Sequence, residues 1–317
     1  MSRPDRGTPP FSGNGGGTVV RGAEGAIVVG VDGSGGAALA VRWAAAEAGA
    51  RNLPLHLLFA AGWVGGGYGG GLPVPQSYFD DLDQAGKTLL AEAKRAAREV
   101  SPGVAVTSSM PFEPPVPPLV DASERARMLV LGATGRTGFA GRLAGATAVA
   151  VAARALCPVA IVRPRTDGLP IPANAPVVVG VDGSHVSDRA VAVAFEEASW
   201  RRVPLIAVHA FSDADAGLLL PEPDRGWGTL SQQQERLLAE NLAGWREEYP
   251  EVQLEPVAVR DQPRAELLAR SEAAQLLVVG SRGRGGVTGL LLGSTSQALI
   301  HHAQCPVLVV RAAAPAP

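Results

Sequence analysis

Short continuous apolar runs alternate with longer amphipathic stretches along most of the chain. Ile27–Val31 and Val177–Val181 are two such runs, and each ends in a polar turn. Runs of this kind are typical of parallel strands that are buried on both faces, whereas apolar positions spaced three or four residues apart predict helices that cover a sheet. The alternation therefore predicts right-handed βαβ crossovers and a parallel sheet with helices on both faces.

The same pattern occurs twice along the chain. The phrase Val-Gly-Val-Asp-Gly-Ser spans residues 29–34 and returns at residues 179–184, an offset of 150 (position 182 against position 32). Cys-Pro-Val precedes the last apolar run of each copy, at Cys157 and Cys305, an offset of 148 (305 against 157). A repeat of this length predicts two whole domains rather than a solenoid. We predict a disordered tail at residues 1–24, domain one at 25–163, a Pro-rich linker with little to pack at 164–176 and domain two at 177–312.

Charge, apolar windows and cysteine usage exclude several classes of protein. The chain has 28 Lys and Arg against 30 Asp and Glu, with no long run of either sign, so we expect no nucleic-acid partner. Arg154 and Pro158 interrupt the longest apolar window, and Pro and Gly follow the first residues, so we expect neither a membrane span nor a signal peptide. The two cysteines cannot form a disulfide scaffold and are expected to be small buried residues. These features predict a soluble cytoplasmic protein.

The candidate chemistry lies in a glycine-rich stretch at residues 280–296, between an apolar run and a helical pattern. Ser294 is followed three residues later by Gln297, which is the pattern of a capping box and predicts that the helix N-terminus lies at Ser294. Unpaired backbone N–H groups, the positive end of a helix dipole and a loop without side chains together suit a phosphate. A glycine loop with a purely structural role is the alternative.

The first copy has an equivalent stretch at residues 132–147. Both stretches have a Gly, two residues, a second Gly, nine residues and a third Gly, but Ala146 replaces Ser294 in the first copy. A hydrogen bond to a charged phosphate contributes about 1.5–3 kcal/mol, so the first copy is predicted to be the weaker site. Neither stretch has the spacing of a P-loop, and the first strand of each copy lacks the dinucleotide-binding fingerprint.

These motifs together resemble those of the universal stress protein family, in its tandem-domain, ATP-binding branch. The resemblance rests on Gly-2x-Gly-9x-Gly-Ser after the fourth strand, Val-Gly-Val-Asp-Gly-Ser at the first strand and Cys-Pro-Val-Leu-Val-Val-Arg at the last. It implies an α/β fold of two tandem Rossmann-like domains, each a five-stranded parallel sheet of order 3-2-1-4-5 with helices on both faces. ATP, with Mg²⁺, would bind where the strand order reverses. We expect the fifth strands of the two domains to meet, because they would otherwise be exposed sheet edges.

The resemblance also implies roles for individual residues. In the second copy, adenine and ribose would contact the turn after the first strand, which contains Gly180, Val181, Asp182 and Gly183. Asp213 would close over the base. The ribose and phosphates would lie on the glycine loop and the helix after it, which contain Gly280, Gly283, Arg284, Gly285, Gly286, Gly293, Ser294, Thr295 and Ser296. The corresponding residues of the first copy are Gly30, Val31, Asp32, Gly132, Gly135, Arg136, Gly138, Gly145, Ala146 and Thr147. No metal site built from protein side chains alone is expected.

The histidines are expected to be structural for the most part. His56 lies within a strand, and its position favours a role in the core or at the strand end. His209 ends the second strand of the later copy, where approach to a base is the alternative to a structural role. His301 and His302 close the last helix, where they suit the helix dipole better than a metal site.

The sequence contains no recurring catalytic constellation, so we expect a non-catalytic protein or a very slow ATPase. The expected function is nucleotide-dependent regulation in a stress response, with a homodimer and an unidentified protein partner. A competing hypothesis is an ATP-dependent hydrolase or nucleotidyl-transfer enzyme on the same fold. Ser34-Gly35-Gly36 begins a pyrophosphatase-type loop, but Ala37-Ala38 ends it. A third hypothesis is a stress protein that binds no nucleotide and acts through dimer contacts.

Overall fold

The computed structural model describes residues 22–62, 76–135, 144–211, 227–260, 262–284 and 291–312. They form two lobes of the same construction, in which strands and helices alternate. Lobe one contains strands β1 (Ile27–Gly30), β2 (Leu55–Leu58), β3 (Val106–Ser109), β4 (Met128–Gly132) and β5 (Val159–Val162), with helices α1 (Gly35–Ala50), α2 (Gln76–Val100), α3 (Val116–Ala122) and α4 (Ala146–Ala152). Lobe two contains β6 (Val177–Val181), β7 (Leu205–Phe211), β8 (Leu254–Arg260), β9 (Leu276–Gly280) and β10 (Val307–Val310), with α5 (His185–Arg201), α6 (Trp227–Asn241), α7 (Ala243–Glu248), α8 (Pro263–Ser271) and α9 (Ser294–His302).

The described strands join into one ten-stranded sheet of order β3-β2-β1-β4-β5-β10-β9-β6-β7-β8. Neighbouring strands are parallel within each lobe, which gives the order 3-2-1-4-5 twice. The two lobes meet where β5 and β10 pair in antiparallel fashion, with Leu308 opposite Ala160. The predicted fold class and the predicted contact between the fifth strands are both confirmed. Pairing these strands removes two sheet edges that would otherwise expose unpaired backbone groups.

The core lies in two layers, one on each face of the sheet. Successive residues of a strand project to opposite faces, so Ile27 and Val29 pack in one layer and Val28 in the other. Both layers contain residues from both lobes, and this two-sided burial explains why the strands appear in the sequence as continuous apolar runs. Cys157 and Cys305 are buried as predicted, and burial raises the pKa of each thiol to about 12.

The linker has little apolar surface to bury but is hydrogen-bonded to lobe two. Arg165 pairs with Asp167 and donates to the backbone oxygen of Glu272 at 2.8 Å. The hydroxyl of Thr166 donates to Oε1 of Gln304 at 2.8 Å. Polar contacts of this kind have no hydrophobic period, so the sequence pattern could not predict them.

Among the described residues, every helix is too short or too polar to span a membrane.

A buried ion network joins α1 of lobe one to α5 of lobe two. Arg51 lies 2.9 Å from Glu47 and also pairs with Glu197 of the other lobe. Arg201 completes the network through contacts with Glu197 at 3.4 Å and with Glu47. Glu197 and Arg201 occupy the positions in the second copy that Glu47 and Arg51 occupy in the first (197 against 47, 201 against 51), so the network is nearly symmetric. Burial by itself lowers the pKa of Arg51, but Glu197 and Glu47 together raise it above its ordinary value.

His56 occupies the core position that its strand predicts. It is fully buried in β2, and its two ring nitrogens lie 2.8 Å from the hydroxyls of Thr107 and Ser109 on β3. Hydroxyl groups accept as well as donate, so these partners would tolerate either charge state of the ring. Burial opposes the charged state, and it lowers the pKa of His56 with a smaller contribution from Lys94.

The free energy of unfolding is therefore expected to fall as the pH decreases below about 6.5, the ordinary pKa of histidine. The unfolded chain takes up a proton on His56 at a higher pH than the folded chain, because the folded-state pKa is lowered. The stability due to the neutral ring is complete above the unfolded pKa and is lost as the pH falls towards the folded pKa. Urea unfolding of the native protein and of His56→Asn between about pH 8 and about pH 5 measures this difference. An identical pH dependence in the two proteins would contradict the assignment.

Candidate functional site

A cleft of about 470 Å³ opens in lobe two where the strand order reverses, between β6 and β9. At such a point the connections after neighbouring strands leave towards opposite faces of the sheet, so a crevice forms beyond the carboxyl ends. Many of the predicted site residues come together along its wall: Gly180, Val181, Asp182, Gly280, Gly283, Arg284, Gly293, Ser294, Thr295 and Ser296. Asp213, Gly285 and Gly286 lie outside the described residues.

Gly183 lies beside the cleft and makes room for an arginine. Its backbone has a φ of 71°, which favours glycine, and a Cβ there would lie 2.2 Å from Nη2 of Arg284. The guanidinium group of Arg284 therefore packs over the turn that follows β6. Arg282 also lines the cleft, and the two side chains bring positive charge to its mouth.

Asp182 ties the turn after β6 to the glycine loop after β9. Its Oδ1 accepts hydrogen bonds from the backbone nitrogen of Ser184 at 3.0 Å and from the Ser184 hydroxyl at 2.7 Å. Its Oδ2 accepts from the backbone nitrogen of Arg284 at 3.0 Å. Gly283 allows this approach, since a Cβ there would lie 2.3 Å from Asp182 Oδ2. The carboxylate thus shapes the loop, a task that the sequence did not predict for it.

The helix start predicted at Ser294 is confirmed, but the capping box predicted with it is wrong. Helix α9 has Gly293 as its N-cap, begins at Ser294 and has no side-chain cap hydrogen bond. The first helical bond runs from the nitrogen of Gln297 to the oxygen of Gly293 at 2.9 Å. A glycine at this position lets the backbone enter the helix close to the loop, so no capping side chain covers the N–H groups of the first turn. These groups face the cleft and suit an anion.

Ser296 lines the cleft and also has a structural contact that the sequence did not predict. Its side chain is buried, with 4% of the residue exposed, and its hydroxyl donates to the oxygen of Gly280 at 2.6 Å. This bond fastens the first turn of α9 to the end of β9. Ser294 and Thr295 remain at the wall of the cleft.

The other wall of the cleft is largely apolar. It is formed by Val208, Pro263, Leu267 and Val279, from β7, α8 and β9. His209 also lines the cleft, with its Nδ1 2.9 Å from the oxygen of Val181. Leu267 and Pro263 could not be predicted as site residues, because no local spacing in the sequence links α8 to the glycine loop. A cleft with one apolar wall and one wall of N–H groups and arginines suits a ligand with a flat apolar part and an anionic part.

Lobe one holds its glycine loop differently. Gly36 stands where lobe two has Val186 (186 against 36), and a Cβ at Gly36 would lie 2.3 Å from the oxygen of Thr134. The hydroxyl of Ser34 donates to the same oxygen at 3.1 Å. The loop therefore lies directly against the N-terminus of α1, whereas the corresponding Arg282 of lobe two lines an open cleft.

The predicted site residues of lobe one follow the same order along the fold. Gly30 ends β1, Val31 follows it, and Oδ1 of Asp32 accepts from the nitrogen of Ser34 at 2.9 Å. The glycine loop and α4 hold the remaining described residues, Gly132, Gly135, Gly145, Ala146 and Thr147, with Gly145 as the N-cap of α4. Arg136 and Gly138 lie outside the described residues.

Comparisons with known proteins agree on the family. The model of the "Universal stress protein family" matches residues 25–163 and 174–311. Universal stress protein Rv2005c of Mycobacterium tuberculosis is 43% identical over 293 residues, which cover 90% of this chain and 96% of that protein. Universal stress protein Rv2623 of the same organism is 41% identical over 294 residues, with the same coverage of 90% and 96%.

A solved structure supports the same fold. The crystal structure of a universal stress protein from Archaeoglobus fulgidus has a TM-score of 0.68 at 21% identity, and the match covers 91% of this chain and 98% of that chain. Identity at this level supports the fold alone, whereas the family model and the mycobacterial relatives extend over nearly the whole chain. The chain therefore belongs to the universal stress protein family and carries two domains of that family in tandem.

Proposed function

We propose that lobe two binds ATP, together with Mg²⁺, in the cleft between β6 and β9. The observation that carries the proposal is that one cleft is lined by the glycine loop and the first turn of α9 and also by apolar side chains of β7, α8 and β9. The phosphates would lie against Gly283, Gly293 and the N–H groups of α9, where the helix dipole favours negative charge. Arg282 and Arg284 would add charge-assisted contacts.

The adenine would lie against the apolar wall formed by Val208, Leu267 and Val279. Contact between a flat ring and these side chains removes apolar surface from water, and this contributes to affinity without any change in the polar contacts. The side chain of Arg284 covers the turn at Gly183 and lies near the position that we assign to the ribose. Lobe one is proposed to bind ATP more weakly, because its loop lies against α1 and Ala146 lacks a hydroxyl.

The proposed role is regulation and not metabolism. The carboxylate of Asp182 accepts hydrogen bonds from Ser184 and Arg284 through both oxygens, and Nδ1 of His209 contacts the oxygen of Val181. Among the described residues that line the cleft, this carboxylate and this imidazole therefore both have structural partners. ATP hydrolysis would then be slow or absent. ATP would shift the population of lobe or loop arrangements that a protein partner distinguishes. The proposed setting is a homodimer in the cytoplasm during a stress response.

The test combines identification of the co-purified nucleotide with calorimetric titration of ATP. We expect Gly283→Glu to weaken binding at least about a hundredfold, because the new carboxylate would lie beside Asp182 and the phosphates (about 2.7 kcal/mol). The matched variant Gly135→Glu, in lobe one, should leave the tighter site intact. A native protein that carries no adenine nucleotide and gives no heat with millimolar ATP would refute the proposal. Loss of the tighter site in Gly135→Glu alone would show that the two lobes are ranked wrongly.

A further inference from the structure

Helix α9 of lobe two lies at the cleft with its N-terminal end and contacts lobe one with its C-terminal end. Its first residues, Gly293–Ser296, line the lobe-two cleft. At its other end, Nδ1 of His301 accepts a hydrogen bond from the backbone nitrogen of Ala144 in lobe one at 2.8 Å. Arg163, just after β5, donates to the backbone oxygen of Ile300 at 2.7 Å and to that of His301. Lobe one thus satisfies the carbonyl groups that a helix leaves unpaired at its C-terminus.

The contact from His301 acts on the glycine loop of lobe one. Ala144 precedes Gly145, which is the N-cap of α4 and donates to the oxygen of Ala133 at 2.6 Å. The residue that corresponds to His301 in the first copy is Ala153 (301 against 153), whose side chain has no hydrogen-bond acceptor. The contact therefore runs from lobe two to lobe one without a symmetric counterpart.

A short helix transmits changes at one end to the other. Helix α9 has nine residues, and helices of this length are marginal without outside support because their formation is cooperative. An anion at the N-terminal N–H groups acts on the first turn of α9. Because helix formation is cooperative, this stabilisation passes to the remaining residues of so short a helix. Leu299 and Ile300 are buried and hold the C-terminal turn in the core, so His301 moves with the helix.

We propose that His301 is a positioning residue that couples the lobe-two cleft to the glycine loop of lobe one. The inference rests on the proposed binding of nucleotide in lobe two. A ligand at the N-terminus of α9 steadies its last turn and strengthens the bond from Ala144 to His301, which holds the residue before the N-cap of α4. The two states differ in whether this hydrogen bond is formed or broken. By thermodynamic reciprocity, formation of the bond raises the affinity of lobe two for its ligand to the same extent.

The bond requires a neutral imidazole, because a protonated Nδ1 cannot accept. Among the described residues, the charged or titratable groups that act on His301 are His302, beside it on α9, and Arg163, next to the end of β5. Burial, then His302 and Arg163, lower the pKa of His301, so the ring stays neutral at physiological pH. Acidic pH would protonate it and release Ala144.

Hydrogen exchange at the Ala144 amide, followed by NMR with and without ATP, tests the coupling. We expect ATP to raise the protection factor of this amide about tenfold in the native protein, within the usual range of coupling between sites. His301→Ala should remove the response. His301→Asn should restore it, since Oδ1 of Asn stands near the place of Nδ1, and should make it independent of pH in the acidic range.

Several outcomes would overturn the inference. An equal response in His301→Ala, or no rescue in His301→Asn, would show that the imidazole does not carry the coupling. A response that persists in Gly283→Glu would show that Ala144 senses ligand bound in lobe one itself. Calorimetry on the same samples shows whether the coupling alone is wrong or the proposed function as well. If ATP binds without changing the exchange of the Ala144 amide, the coupling alone is refuted. If ATP does not bind, the proposed function and the coupling are both refuted.

Discussion

Replacing Glu197 with alanine is expected to lower the free energy of unfolding by about 3–5 kcal/mol. Glu197 is 2% exposed and contacts Arg51 and Arg201, so the substitution leaves two guanidinium groups buried with half of their carboxylate partners. Because Arg51 belongs to the other lobe, we expect the lobes to separate or loosen before each lobe unfolds. Urea denaturation followed by far-UV circular dichroism and by the fluorescence of Trp43, which lies 5.7 Å from the Arg201 guanidinium, measures both events.

A matched control for Glu197 is the exposed ion pair between Glu99 and Arg42. These side chains are about half exposed, at 54% and 53%, and lie 3.5 Å apart. Exposed pairs contribute about 0–1 kcal/mol, so Glu99→Ala should change stability by no more than that. If Glu197→Ala proved as mild as Glu99→Ala, the network would not hold the lobes together. Replacing all four members of the network by apolar residues of similar volume is expected to be far less harmful than the single substitution.

Replacing Asp182 with alanine is expected to weaken ATP binding in lobe two about a hundredfold, or about 2.7 kcal/mol. The substitution removes two hydrogen bonds from Ser184, which shape the turn after β6, and the bond from the backbone nitrogen of Arg284, which joins the glycine loop to that turn. Whether the substitution weakens or strengthens ATP binding distinguishes two roles of the carboxylate. A carboxylate that acted only through its charge would repel the phosphates, so its removal would strengthen binding; a carboxylate that shapes the loop gives the opposite result.

Variants of Asp182 and of Asp32, the corresponding residue of lobe one, can be compared directly by calorimetry. Asp182→Asn should fall between the native protein and Asp182→Ala, because its Oδ1 can still accept from Ser184 while its amide group cannot accept from the nitrogen of Arg284. Asp32→Ala makes the same change in lobe one and should leave the affinity of lobe two unaltered. Unchanged or tighter binding in Asp182→Ala would rule out the loop-shaping role.

Much of the fold could be predicted from local patterns. Apolar runs such as Val177–Val181 are short-range signals, since burial on both faces of a sheet requires every residue of the run to be apolar. The repeat then doubled the evidence for each strand, and the need to cover exposed edges predicted that β5 would meet β10. The glycine spacing placed Gly280, Gly283 and Gly293 in one loop system, and the structure brings them to one cleft.

The details of the site depended on contacts that no local pattern records. The capping box at Ser294 is wrong because Gly293, and not Ser294, is the N-cap of α9, and the path of the preceding loop decides which residue takes that position. Ser296 pairs with Gly280 and Asp182 with Arg284 across 16 and 102 residues of sequence. Such pairs form only after the strands have set the distance between their loops.

The amino-acid sequence by itself determined the two α/β domains, their strand order through the family resemblance, and the position of the glycine loops, because periodicity and repeat length are properties of neighbouring residues. Only the tertiary structure decided how the two domains differ and how they are joined. Glu47 with Arg201, and His301 with Ala144, are contacts between lobes across 154 and 157 residues. Their partners are chosen by the antiparallel pairing of β5 with β10, which brings α5 beside α1 and the end of α9 beside the lobe-one loop.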